Sequence, residues 1–117
     1  ILKLGGLYLH NRNRRAALNI FSDGVTKFPN NAELHATLGD VYREMGMLNT
    51  ALKIVKRAVE IEPERALWRY HLARTFERSN PEYAAQEWAH YLELATTDTR
   101  EKNRVKEVRE RLSYNYD

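Results

Sequence analysis

The side chains of this chain best suited to bind a metal, attack an electrophile or hold an anion are four histidines, three serines and a knot of arginines. His10, His35, His71 and His90 contain no i, i+3 or i, i+4 pair, the spacing by which one helix face offers two ligands. No cysteine is present to complete a ligand set, to form a disulfide or to serve as a thiolate nucleophile. Ser22, Ser79 and Ser113 stand in no strand-to-helix elbow, and no glycine-rich phosphate loop follows a strand, because no segment reads as a strand. Gly5-Gly6 falls inside a helical pattern, where close packing accounts for it. Arg12, Arg14 and Arg15, near His10 and Asn13, offer planar donors that suit phosphate. A nucleic-acid face would extend along the molecule, yet the next turn of this kind, residues 44–50, has no basic residue. The arginine knot therefore reads as a solvated turn, and the chain predicts no enzyme, no cofactor and no metal site.

The elements that position these residues repeat. Residues 32–63 read as two amphipathic helices. Leu34, Leu38, Val41, Tyr42 and Met45 recur at helical intervals until Gly46, then Leu48, Ala51, Leu52, Val55, Ala58 and Val59 until Pro63. Leu4, Gly5, Tyr8, Ala17, Phe21 and Pro29 each have a counterpart 34 residues later in Leu38, Gly39, Tyr42, Ala51, Val55 and Pro63. A further 34 residues lead from the first helix to Leu72, Ala73 and Phe76. A shift of 33 leads from Ala51, Val55 and Ala58 to Ala84, Trp88 and Tyr91, so one residue is missing from the turn at Ser79-Asn80-Pro81. There Asn80 suits a helix cap and Pro81 the first helical position. Trp68 lies one residue off this register and has no assigned role. A single helix pair cannot hide both of its apolar stripes, so copies must stack.

A helix–turn–helix period of 34 residues with Leu-Gly-x-x-Tyr, then Ala, a branched or aromatic residue and a closing Pro resembles the tetratricopeptide repeat (TPR). The resemblance covers nearly the whole chain and is fullest in the second copy, through Leu38, Gly39, Tyr42, Gly46, Ala51, Ala58 and Pro63. Gly39 and Ala51 would let the paired helices approach, with Tyr42 and Val55 filling the space beside them. His35 replaces the usual Trp and is expected to pack between helices. Arg12 replaces the turn Gly, Gly24 a late Ala and Thr96 the third closing Pro. The implied fold is all-α: a right-handed α-solenoid of about three TPR helix-turn-helix repeats plus a C-terminal capping helix, seven helices in all. The expected divisions are 1–31, 32–65, 66–97 and 98–117. The first copy enters mid-helix, so the chain reads as cut from a longer protein.

The family lines its concave surface with first helices. The positions that its core pattern leaves free there are Leu2, Gly6 and Leu9, then Ala36, Asp40 and Arg43, then Tyr70, Arg74 and Glu77, each set at i, i+4, i+7. The resemblance implies a groove with an apolar end at Leu2 and Leu9, Ala36 at its centre, and a polar end of Asp40, Arg43, Tyr70, Arg74 and Glu77. The plainer alternative is a solvated face on which these charges pair with one another. Some TPR adaptors clamp a C-terminal carboxylate, and the matching positions here are Leu2, Gly6, Thr37, Tyr70 and Arg74, of which only the Arg survives. That departure argues against a free-carboxylate ligand.

Beyond Ala95, residues 98–112 carry a thin apolar stripe of Val105, Val108 and Leu112 among charges. This suits the open end of a repeat stack. Asp98–Lys102 and Glu107–Arg111 have the favourable acid-before-base spacing, and residues 113–117 are expected to fray. With 117 residues and a 43% hydrophobic content, the chain supports one ordinary domain. Its apolar runs are far short of the roughly 20 residues of a bilayer span. The net charge of +3 is spread evenly, which argues against a nucleic-acid partner. The predicted role is a non-catalytic scaffold that holds a segment of another protein. The alternatives are self-association into a homo-oligomer, or packing against and regulating an enzyme domain of a longer parent.

Overall fold

A computed structural model describes Gly5 and residues 13–116. Among them are six α-helices, α1 (Arg14–Lys27), α2 (Ala32–Glu44), α3 (Leu48–Ile61), α4 (Ala66–Phe76), α5 (Pro81–Ala95) and α6 (Lys102–Tyr116), with one 3-10 turn at Thr99–Glu101. Gly5 is helical as well. No helix of the described residues is long and apolar enough to cross a membrane. The fold is the all-α helical repeat that the sequence implies. The chain divides into two compact units, Ile1–Glu62 and Pro63–Asp117.

Asparagine starts three of the helices. Asn13 Oδ1 accepts from Ala16 N–H (3.2 Å), Asn31 Oδ1 from Leu34 N–H (3.0 Å) and Asn80 Oδ1 from Tyr83 N–H (3.1 Å). Each such cap is worth about 1 kcal/mol. Pro81 fills the first turn of α5 as its missing N–H predicts. The α2–α3 turn closes through two backbone bonds, Gly46 N–H to the Arg43 carbonyl (3.0 Å) and Met47 N–H to the Tyr42 carbonyl (2.9 Å). This pairing needs a left-handed residue, and Gly46 takes φ +79°. Met45 caps α2 at 41% exposure, so it leaves the apolar stripe on which its spacing placed it.

In the first unit Ala17, Phe21, Leu34, Leu38 and Val41 form the core, flanked by Leu18, Val25, Tyr42 and Ile54. Ala51, Val55 and Ala58 of α3 are fully buried. The glycines set the approach of the paired helices. A Cβ at Gly39 would lie 2.3 Å from Val55 Cγ2, and one at Gly5 would lie 2.3 Å from the Phe21 ring. His35, half-buried, donates from Nε2 to the Pro29 carbonyl (2.8 Å) and so ties the α1–α2 turn to α2.

In the second unit Ala66, Tyr70 and Ala73 of α4 meet Ala84, Trp88, Tyr91 and Ala95 of α5 and Val105 and Val108 of α6. Leu112 packs on the same cluster, and the Phe76 and Tyr83 rings lie 4.2 Å apart. Trp68 is buried, with the Arg65 guanidinium 5.6 Å from its ring centre and the His71 ring at 5.9 Å. Helix α6 is assigned past Ser113 to Tyr116.

Gly39→Ala gains about 1 kcal/mol of helix propensity but drives a methyl into Val55, which has no free space, at a cost of about 1–3 kcal/mol. The substitution is expected to lower the unfolding free energy of the wild-type chain and to raise it in a Val55→Ala background. Urea denaturation of the four variants reads both signs; a stabilising effect in both backgrounds contradicts the close contact.

Candidate partner-binding surface

The first-helix stripes are not equivalent. On α2, Ala36 is fully buried, whereas Asp40 and Arg43 are partly buried, with 19% and 23% of their side chains exposed, and form an i, i+3 ion pair at 3.8 Å. On α4, Tyr70 is only 8% exposed. Its ring meets Trp88 (5.3 Å) and Tyr91 (5.7 Å) edge to face. Its hydroxyl donates to the Glu107 carboxylate of α6, 3.0 and 3.1 Å from the two oxygens. Glu77 is taken by Arg111 of α6 at 2.5 Å, and the same Arg111 reaches Glu107 at 3.1 Å and lies 5.3 Å from the Trp88 ring centre. Ala36 and Tyr70 thus belong to the core rather than to an open groove. A methyl and an aromatic ring have more to gain from burial than from solvent. Arg74 of the same stripe is half-buried, and its guanidinium lies 5.6 Å from the Tyr70 ring centre. Leu2, Gly6 and Leu9 lie outside the described residues.

Several polar side chains sit deeper than their types suggest. Glu101 is 2% exposed, accepts from the Tyr91 hydroxyl (2.9 Å) and pairs with Arg104 (3.2 Å). Glu87 is 4% exposed and pairs with Arg69 at 3.3 Å. Thr75 is buried, its hydroxyl donating to the His71 carbonyl at 2.8 Å. Trp88 Nε1 is buried without a hydrogen-bond partner. Glu87 carries a signal in the sequence, since it stands three residues after Ala84 and four before Tyr91, on the apolar face of α5. Glu101 carries none, because its burial comes from the fold of the α5–α6 connection. That connection also changes an expected pair: Asp98 is held by Arg100 (3.0 and 2.9 Å) rather than by Lys102, and accepts from Arg100 N–H to cap the 3-10 turn. The Arg100 side chain, followed by its backbone N–H, holds the Asp98 carboxyl below its usual range. Glu107–Arg111 forms as its spacing predicts. In the arginine knot, Arg14 and Arg15 are exposed at the start of α1, and Arg14 lies 3.6 Å from Glu44; His10 and Arg12 lie outside the described residues.

Packed helix pairs whose spacing is set by small residues define an α-helical repeat protein, a class built to present surfaces. The tetratricopeptide repeat family model matches residues 8–80, and the chain belongs to that family. No curated protein matches it by sequence. Among solved structures it is similar to SycD, the type III secretion translocator chaperone of Yersinia enterocolitica, at 14% identity over 96% of this chain and 78% of that one, with a TM-score of 0.86. It is also similar to Pseudomonas aeruginosa PcrH in complex with the chaperone binding region of PopD, at 15% identity over 96% and 85%, with a TM-score of 0.86. A third likeness, at 17% identity over 95% and 89% with a TM-score of 0.74, is to the first TPR of Spaghetti (RPAP3) bound to an HSP90 peptide. At these identities the likeness is one of fold.

Burial and then the Glu101 carboxylate push the Tyr91 hydroxyl well above the ordinary tyrosine value, and burial and then Glu107 raise Tyr70 likewise. A raised folded value means that the folded chain keeps a proton that the unfolded chain releases above pH of about 10. The stability from these tyrosines is complete below that pH and falls as pH rises beyond it. The urea midpoint is therefore expected to drop between pH of about 9 and 11, and Tyr91→Phe is expected to flatten that slope. Parallel slopes for the two chains contradict the assignment.

Proposed function

We propose that the chain is a non-catalytic scaffold that binds a segment of another protein through polar positions of its first helices, Asp40 and Arg43 in the first unit and Arg74 in the second. The observation behind this reading is that Arg74 is half-buried and the Asp40–Arg43 pair keeps part of each side chain exposed, while Ala36 and Tyr70 are buried. Leu2 and Leu9 are the apolar contribution expected from the sequence. Membership of the family supports the reading, as do the peptides held by PcrH and Spaghetti. Charges at such positions set register and partner choice more than raw affinity.

The segment is read as internal rather than C-terminal. At the positions of a carboxylate clamp the chain has Leu2, Gly6, Thr37, Tyr70 and Arg74. The Tyr70 hydroxyl is already committed to Glu107.

Affinity capture with the full chain, followed by cross-link mapping, identifies the bound segment. Replacing Asp40, Arg43 and Arg74 by Ala is expected to weaken its binding about tenfold, or about 1.4 kcal/mol, with the thermal melt retained. Undiminished affinity, with cross-links confined to the second helices α3 and α5, would sink the proposal.

A further inference from the structure

Helix α6 carries two sets of charges with different fates. Arg104, Glu107 and Arg111 turn towards α4, α5 and the 3-10 turn and are engaged there. Lys102, Lys106 and Arg109 are exposed and make no ion pair among the described residues. Their spacing of four and three residues places them on one stripe, about 10 Å long. The stripe borders an open trough of about 720 Å³ between α6 and the end of α5, with Ala95 and Val105 at its base. Both base residues are nearly covered, so the apolar lining that a ligand meets is chiefly the aliphatic stems of the three basic side chains and the methyls of the neighbouring threonines. Two acids share the trough. Asp98 is neutralised by the bidentate contact with Arg100, which leaves Glu110 as the unpaired carboxylate facing three cations.

We propose that this trough is a docking surface, separate from the first-helix stripes, for an acidic segment of a partner protein that also carries aliphatic side chains. Charge complementarity selects the acidic character, since the basic stripe lacks partners of its own. The apolar stems between the cations select a segment in which acids alternate with aliphatic residues. A nucleic acid fits less well: the basic stripe is only two helical turns long, and Glu110 would stand against a phosphate backbone. The inward set of α6 charges leaves the helix anchored while the outward set is occupied, so binding here requires no rearrangement of the core.

The full chain is titrated with a fluorescent peptide of repeated Glu-Glu-Leu triplets, with Gln-Gln-Leu and Glu-Glu-Ser peptides and an oligothymidylate as comparators. The Glu-Glu-Leu peptide is expected to bind in preference to all three and to shift the amide resonances of Lys102, Val105, Lys106 and Arg109. The combined variant K102Q/K106Q/R109Q is expected to lose about tenfold in affinity, with its far-UV circular dichroism unchanged because all three side chains are exposed. Four results overturn the proposal: no binding of Glu-Glu-Leu, equal binding by the variant, equal binding of Glu-Glu-Ser, or oligothymidylate binding as tight as the peptide. The Asp40, Arg43 and Arg74 substitutions leave this binding unaltered, so its failure and that of the first-helix reading are told apart.

Discussion

The spacing between a first and a second helix in the first unit depends on a side chain that is absent. With no Cβ at Gly39, the γ-methyl of Val55 occupies the position where one would stand. The Phe21 ring occupies the same place at Gly5. In the second unit the corresponding residues are Ala73 and Trp88, both fully buried in one cluster. The small residue at this register changes little while its opposite number grows from valine to tryptophan, so each helix pair reaches dense packing in its own way. Turn closure at Gly46 and the asparagine caps then fix where the helices of a pair begin and end.

The second unit answers its larger aromatic residues with two carboxylates, one buried and one half-exposed. Tyr70, Trp88 and Tyr91 form an edge-to-face cluster, and two of the three carry hydroxyls that need acceptors. Glu107 and Glu101 supply them, and Arg111 and Arg104 compensate the carboxylates. A neutral tyrosine donating to a carboxylate in a desolvated site is stable only while the tyrosine keeps its proton, hence the raised values at both positions. Helix α6 is therefore more than a soluble cover. Its inward charges complete the polar wiring of α4 and α5, and its outward charges remain available to solvent or to a partner.

This arrangement bears on how a repeat protein divides its surface. A first-helix position is available to a ligand only if the next element of the chain does not reach it first. At the α4 stripe α6 has reached Tyr70 and Glu77, and Arg74 keeps partial exposure. At the α2 stripe Asp40 and Arg43 are partly buried and lie 3.8 Å apart as an ion pair within the same helix.

The sequence by itself determined the helices, their pairing and the family. These rest on local facts: apolar residues at helical intervals, asparagine and proline at starts, glycine where φ must be positive, and small residues at one register. It also marked the positions of the first-helix stripes, because helical periodicity places i, i+4 and i+7 on one side. What periodicity does not encode is which side chain of a later helix arrives at that side. The capture of Tyr70 by Glu107 spans 37 residues and that of Glu77 by Arg111 spans 34. The burial of Glu101 depends on the path of the α5–α6 connection, and the partition of α6 into engaged and free charges depends on where that helix comes to rest. A long flexible side chain can face solvent or reach across a helix at nearly equal local cost. Tertiary packing decided between the two.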